Sequence, residues 1–481
     1  MNTDSSTAEP IVKEIIPDVL AQRYASTPMV NLWGPRNRVI LERKFWLAVL
    51  QGQSRLGVPV PDVAFPAYAN HVGNIDFASI KRRELKTKQD VVARVEEFNA
   101  LAGFELIGIG LTSRDTTDNV EQFIIRTALE HVGQRVIAVA ERFGRKATEF
   151  ALLDLSGRSH NVAGQTITLG KRFANFAEEL LIAYNRLEHF IASYPLRGIK
   201  GAMGTQQDMA DILGSAAKVR ELEEYVRIYL GFGGVLDSVG QVYPRSLDFE
   251  TVSVLAQLGS SMGNLAKMIR LMAGQDLLHE GFRAGQTGSF AQPHKINSRT
   301  AERLNGSQHV LGGFLDMTQS LLGDQWNEGD VSCSIIRRVA MQGAFFVFDG
   351  MCEATLHILD EMEVFPEMVQ AELKRYLPFL STTRLLMAAC KKGKGRDPMH
   401  SLIKKHAVVA LTVMRRGKGN PFLETLSADR EFPLSPAEIT ALTAEPNHGL
   451  APEQIEKVCG KIAVLTERFP EAATYAPEPM L

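Results

Sequence analysis

The feature that most constrains this chain is a set of long apolar stripes at helical spacing through its middle third. Leu255, Leu258, Met262, Leu265, Ile269 and Met272 recur at steps of three and four, while Gln257, Ser261 and Lys267 fall on other faces. Leu180, Tyr184, Leu187 and Ile191 obey the same rule, and Leu304, Leu311, Leu315 and Leu322 do so with wider gaps. Strand-like alternation is scarce. Its best case, Phe104 to Leu111 (FELIGIGL), is short and broken by glycines. The patterns predict an all-α fold. Several stripes carry small residues (Gly259, Ala266, Gly312, Ala340, Ala344), which let helices approach closely, as a many-helix bundle requires. Stripes this long are hard to satisfy inside one monomer, so an oligomer is expected.

At 481 residues the chain exceeds one compact core, and two or three domains are expected. Breaks near 110–112 and near Phe365-Pro366 divide it into 1–111, 112–364 and 365–481. Lys plus Arg is 53 and Asp plus Glu is 55, so the net charge of −2 supplies no general field for nucleic acid or membrane. A local cationic pocket for a small anion stays open. The basic stretch KKGKGR at 391–396 is short and reads as a solvated turn. The opening MNTDSSTAEP lacks a basic region followed by an apolar core, so no secretory leader is expected, and no apolar run reaches transmembrane length. Cys333, Cys352, Cys390 and Cys459 are far apart and form no CxxC pair, which suits free thiols in a reducing cytoplasm.

Familiar nucleotide and hydrolase motifs are absent. Gly164 and Gly170-Lys171 lack P-loop spacing, GFGGVL from 231 has no strand before it, and neither HExxH nor GxSxG occurs. Three segments stand out instead. They are Thr112-Ser113-Arg114-Asp115; Gly157-Arg158-Ser159-His160-Asn161, read as entering a helix that runs through Thr168, Gly170 and Lys171; and Gly288 to Asn297 (GSFAQPHKIN). Each sets hydroxyls or a histidine near an expected helix start, where anions are favoured. The third belongs to a glycine-rich stretch from Leu277 to Ser298 that reads as a long loop between helices.

These blocks resemble the three signature regions of the fumarase/aspartase superfamily, and within it the adenylosuccinate lyases of bacterial type. The likeness extends over most of the chain. It includes RYAS at 23–26, WLAVL at 46–50, RVEEFNALAG at 94–103, TSRDTTDNVEQ at 112–122, YPLRGIKGAMGT at 194–205, GQVYPRSLD at 240–248, QWNEGDVSCSIIRR at 325–338 and RYLPFLSTT at 375–383. The resemblance implies three mainly helical domains, with a central long-helix bundle forming a homotetrameric core and active sites shared between subunits. It also implies a β-elimination that releases fumarate from a succinyl-nucleotide, with no metal or organic cofactor. Carried over by position, Ser289 matches the loop base and His160 the general acid, and Lys295, six residues beyond Ser289, is a candidate cation to stabilise the base. Thr112 and Ser113 match the holders of the succinyl carboxylates, joined by Lys295 and Asn297; Gln241 matches a positioning glutamine. Arg23, Tyr24, Ser334 and Arg338 match a phosphate cradle, and Arg303 an arginine reaching the nucleotide. Forked guanidinium groups suit phosphate oxygens.

Four positions depart from that pattern. Gln89 and Gly108 stand where the family usually has histidines, Phe290 replaces a second serine, and Gln292 replaces a methionine. Glutamine replaces a histidine hydrogen bond but carries no proton at neutral pH. Three readings follow: a lyase of adenylosuccinate and of the succinylated imidazole-carboxamide nucleotide of purine synthesis; a paralogue acting on another phosphorylated succinyl-amine; or a non-catalytic helical tetramer. Joint retention of Ser289, His160, Lys295 and Asn297 argues against the last, because a structural protein has no physical need for all four.

Overall fold

A computed structural model describes residues 14–283 and 285–479; the polar opening MNTDSSTAEP lies outside them. The first third folds into helices α1 (Val19–Arg23), α2 (Thr27–Trp33), α3 (Pro35–Arg55), α4 (Ala64–Ala69), α5 (Phe77–Thr87) and α6 (Asp90–Ala102). The middle carries α7 (Ser113–Glu149), a hairpin of β1 (Asp154–Ser159) and β2 (Val162–Thr168), α8 (Leu169–Ser193), α9 (Gln207–Leu213), α10 (Ala216–Tyr229) and α11 (Ser246–Ala273). Then come β3 (Leu278–His279), α12 (Arg299–Gln319), α13 (Ser332–Glu361) and β4 (Glu363–Val364), which pairs antiparallel with β3. The last third is α14 (Pro366–Leu380), α15 (Thr382–Lys391), α16 (Arg396–Arg415), α17 (Phe422–Ser427), α18 (Pro436–Thr443), α19 (Ala451–Arg468) and α20 (Pro470–Ala473).

Five long helices, α7, α8, α11, α12 and α13, pack along one another. Their directions follow from contacts at their ends. The start of α8 bonds the end of α7 through Gly170 N to Phe150 O (2.8 Å), whereas Arg197, just after α8, reaches Asp115 at the start of α7 (2.6 Å). The pair is therefore antiparallel. Arg245 before α11 meets Asp118 (3.1 Å), while Met272 at its far end meets Arg172 (3.2 Å), so α11 runs with α7. Arg114 meets Ser334 (2.8 Å) and His131 meets Asp349 (3.2 Å), so α13 does too.

The apolar stripes fill this bundle: Leu255, Leu258, Met262, Leu265, Ile269, Leu180, Leu187, Leu304 and Leu311 are all buried. Leu322 is instead exposed, as are Val310, Met317, Trp326, Val331, Ile335 and Val339 on and between α12 and α13. A second, small core (Leu385, Ala389, Ile403, Phe422, Leu426, Ile439) lies within α15–α18, and α19 returns to the main core through Ile455, Val458, Ile462 and Leu465. The four cysteines are free, with Cys333 and Cys352 buried. No helix among the described residues is long and apolar enough to cross a membrane.

One local expectation is corrected. Residues 157–161 do not enter a helix. They form the turn end of the β1–β2 hairpin, with Ser159 paired to Val162 and with His160 and Asn161 at φ of 52° and 59°. Two positive φ values in a two-residue loop suit the right-handed twist of a hairpin, and Asn tolerates them well. The helix begins only at Leu169, where the Thr168 hydroxyl accepts from Lys171 N (3.1 Å).

Two glycines on helices should respond in opposite ways. A methyl on Gly170 would strike the backbone of Ala147 and Ala151, the latter's Cα at 2.8 Å, whereas one on Gly460 would meet nothing within 4 Å. Chemical denaturation should show Gly170→Ala destabilised by roughly 2 kcal/mol or more, because the close approach is to main chain. Gly460→Ala should be stabilised by about 0.5–1 kcal/mol through reduced unfolded-state entropy.

Candidate active site

The structure places the candidate residues in three locations. The first is the end of the bundle where α7 begins. Thr112 caps α7, and its N–H donates to Asp115 Oδ2 (2.8 Å). The buried Oδ1 of Asp115 accepts from Arg197 Nη1 (2.6 Å), Lys200 N (3.0 Å) and Gly201 N (3.1 Å). Thr112 and Ser113 are thereby fixed to the YPLRGIKG segment. Arg114 donates to Asp118 (3.3 Å) and to the Ser334 hydroxyl (2.8 Å). Gln241 N donates to Glu328 O (2.6 Å), which seats the GQVYPRSLD segment on QWNEGD. Arg338 is exposed, 3.8 Å from Asp90. Thr112, Ser113, Gln241, Ser334 and Arg338 thus share one region.

A buried charge network underlies it. Arg337 pairs with Asp248 (2.7 Å) and Glu121 (2.8 Å), and the Tyr243 hydroxyl donates to Asp248 (2.6 Å). Burial pushes the Glu121 carboxyl up, but Arg337, Arg38 and Arg245 outweigh it and hold it down at about 2. Burial also drives the Tyr243 phenol well above its ordinary range. Sequence reading placed Asp115 in its first segment without a role and gave none to Asp118, Glu121, Arg197, Arg245 or Arg337. The available signal was an excess of charged residues inside otherwise helical motifs.

The second location is α1 with the middle of α13. Tyr24 lies beneath the Arg303 guanidinium (5.2 Å to the ring) and against Gly350, where an added methyl would meet Tyr24 Cβ at 2.8 Å. Arg23 is exposed beside it. Ser334 and Gly350 are separated along α13 by about 24 Å at 1.5 Å per residue, so this half of the expected cradle does not join Ser334 and Arg338 in one chain.

The third location is the far end of the bundle. The stretch 277–298 leaves α11 there. Glu280 caps α12 by accepting from Thr300 N (2.7 Å) and Ala301 N (2.8 Å), and Arg283 Nε donates to Glu361 (2.8 Å). Beyond this base the loop folds on itself. Asn297 Nδ2 donates to Gly288 O (2.9 Å), and the Ser289 hydroxyl accepts from Gln292 N (3.2 Å). Lys295 is exposed, and Phe290 is entirely so at 105 %. His160 sits exposed at the tip of the hairpin at this same end, and the hairpin is held to α14 by the Arg158–Glu372 pair. Along α11, with 28 residues, the two ends of the bundle lie about 42 Å apart. One chain therefore does not bring Ser289 or His160 to Thr112, Ser113 and Gln241.

The departures have definite local roles. Gln89 caps α6, its Oε1 accepting from Val92 N (2.6 Å). Gly108 adopts φ of 93°, a conformation that disfavours a side chain.

The folded Glu121 value lies below the unfolded value near 4.5, so its stabilisation is present in full above that pH and is lost as pH falls towards 2. Glu121→Gln removes this titration. Urea melts between about pH 5 and pH 2 should show the stability gap between wild type and variant narrowing, by at most about 1.4 kcal/mol per pH unit.

Comparison with known proteins gives consistent matches. Residues 68–312 match the family described as Lyase, and residues 378–458 match Adenylosuccinate lyase C-terminus. The chain is similar to the adenylosuccinate lyase of Saccharomyces cerevisiae, at 32% identity with 92% of this chain and 93% of that protein covered. It is 29% identical to the adenylosuccinate lyase of Schistosoma mansoni, covering 91% and 92%. In fold it is similar to the crystal structure of 3-carboxy-cis,cis-muconate lactonizing enzyme from Pseudomonas putida, with a TM-score of 0.79, 17% identity, and 92% and 98% covered.

Proposed function

The chain belongs to the adenylosuccinate lyase family, and from that premise we propose that it eliminates fumarate from a succinyl-amine nucleotide, working as a homotetramer whose active sites are shared between subunits. The observation that carries the shared site is the separation just described. Candidate carboxylate holders lie at one end of the bundle, and the candidate acid and base at the other. Copies packed antiparallel bring opposite ends together, and the exposed Val310, Met317, Val331, Ile335 and Val339 supply apolar surface for such packing. Purine biosynthesis, with adenylosuccinate and the succinylated imidazole-carboxamide nucleotide as substrates, is the pathway proposed, in the cytoplasm.

In this reading Ser289 takes a proton from the carbon next to a substrate carboxylate. The electron pair moves onto that carboxylate as an aci-carboxylate, which Thr112, Ser113, Lys295 and Asn297 stabilise through hydrogen bonds and charge. The C–N bond then breaks as His160 gives a proton to the departing nitrogen and fumarate forms. His160 lies exposed at the hairpin tip and Ser289 half-buried in the loop between Gly288 and the exposed Phe290, positions that suit groups meeting a partner subunit's residues. Arg23, Tyr24, Arg303, Ser334 and Arg338 hold the nucleotide.

A second reading, a shifted amine substrate, is favoured by one feature. Phe290, beside the proposed base, presents a wholly exposed ring, and Gln89 and Gly108 serve backbone geometry where the family pattern has histidines. Comparative turnover of the two purine nucleotides and of other phosphorylated succinyl-amines separates the readings.

Ultraviolet-monitored turnover of adenylosuccinate by the purified protein should be robust and should fall at least about 1,000-fold in Ser289→Ala. No turnover from a folded tetramer would move the assignment to another succinyl-amine. A Thr112→Ala/Ser113→Ala double variant should also be nearly inactive. Refolding it together with Ser289→Ala should restore activity above either parent, because some sites then draw intact residues from different chains. Absence of any restoration would overturn the shared site.

A further inference from the structure

One face of α13 carries four titratable residues at steps of four: Asp349, Glu353, His357 and Glu361. That spacing aligns them in a row along the helix. Between them they meet the α1–α2 link, the segment ending at Glu478 and the base of the 277–298 loop. Asp349 Oδ2 accepts from Ser26 N (2.6 Å), in the link between α1 and α2, and Oδ1 faces His131 of α7 (3.2 Å). Glu353 accepts from the Tyr475 hydroxyl (2.7 Å) and from Glu478 N (2.8 Å), with Arg135 at 3.4 Å. His357 Nε2 donates to Glu478 O (2.8 Å), and its Nδ1 faces Glu361 (3.1 Å). Glu361 holds Arg283 at the base of the 277–298 loop.

The segment Tyr475–Glu478 lies along this row. Arg142 fastens its start, donating to Ala473 O (3.0 Å) and Tyr475 O (2.6 Å), and the Arg135 guanidinium stacks on the Tyr475 ring (3.4 Å to the centroid). The Glu478 side chain then turns to α2. Both of its oxygens accept from Thr27 N (3.0 Å), and one accepts from the Thr27 hydroxyl (2.9 Å). Thr27 stands three residues after Tyr24. A single residue, Glu478, thus holds the helix junction that carries Arg23 and Tyr24 through its carboxylate. Through its carbonyl it holds His357, and by way of Glu361 and Arg283 the root of the loop that carries Ser289.

We propose that Tyr475–Glu478 is a strap, with Glu478 as a positioning residue, that sets the nucleotide-contacting α1–α2 junction and the root of the Ser289 loop in a common frame. The reading of what those two elements contact rests on the proposed function; the mechanical link does not. The link uses charge-assisted hydrogen bonds to backbone, which are short and directional. It joins two elements with little packing of their own, the five-residue α1 and a largely exposed loop.

Hydrogen exchange and steady-state kinetics on the full chain test this. In Glu478→Ala, exchange should speed roughly tenfold at the amides of Thr27, Met29 and Val30 and at 281–283 and 285–288, while the α15–α18 core is unchanged. KM for the succinyl-nucleotide should rise severalfold, with a smaller change in kcat. Glu478→Gln, which keeps an acceptor for Thr27, should recover part of both effects. Tyr475→Phe removes only the hydroxyl bond to Glu353 and should move the same segments less, so it reads the strap even if the alanine variant folds poorly. Faster exchange confined to 473–479, with 281–283 and 285–288 unmoved, would overturn the strap. If wild type does not turn over adenylosuccinate, the substrate assignment fails while the exchange measurement still decides the strap.

Discussion

Much of the structure hangs on the carboxylate of Asp115. It is wholly buried, and it closes the first turn of α7 while receiving a guanidinium and two backbone amides from the segment after α8. Removing one side of such a pair leaves the other charge buried without its counter-charge, a loss of about 3–5 kcal/mol. The carboxylate therefore fixes both the position of Thr112 and Ser113 and the registry of α7 against α8. Asp118 and Asp248 repeat the device with Arg245 and Arg337. The bundle end near the candidate carboxylate holders is set by ion pairs, whereas the interior of α8 and α11 is filled by Leu, Met and Phe.

That difference explains what the sequence made legible. Apolar residues at steps of three and four identify α8, α11 and α12 because burying one face is what periodicity records. The buried arginines and aspartates carry no period of their own, and a charge inside a helical motif looks the same whether it meets water or a partner. At the β1–β2 hairpin the sequence suggests a helix entrance because a hydroxyl there suits a cap, and the two-residue turn at His160-Asn161 decides otherwise. The return of α19 to the main core was invisible for another reason. Its Ile455, Val458, Ile462 and Leu465 stripe would suit either core equally.

The candidate site was legible only as motifs. Likeness to a family named Ser289, His160 and Thr112 together, yet geometry puts them at opposite ends of a bundle in one chain. Sequence distance does not reveal that, because three long helices separate the blocks. The departures at Gln89 and Gly108 acquire meaning only in the fold: a helix cap in one case and a left-handed backbone in the other.

On the proposed shared site, the distance between the two ends of the bundle would tie catalysis to mass action. A folded single chain would hold every proposed group and yet no working site. Activity per chain would then depend on total protein concentration, falling on dilution as subunits part, with no local unfolding needed. Subunit affinity would become a kinetic parameter of such an enzyme, and a substitution on the exposed faces of α12 or α13 would act on turnover from a distance while leaving every reacting group in place.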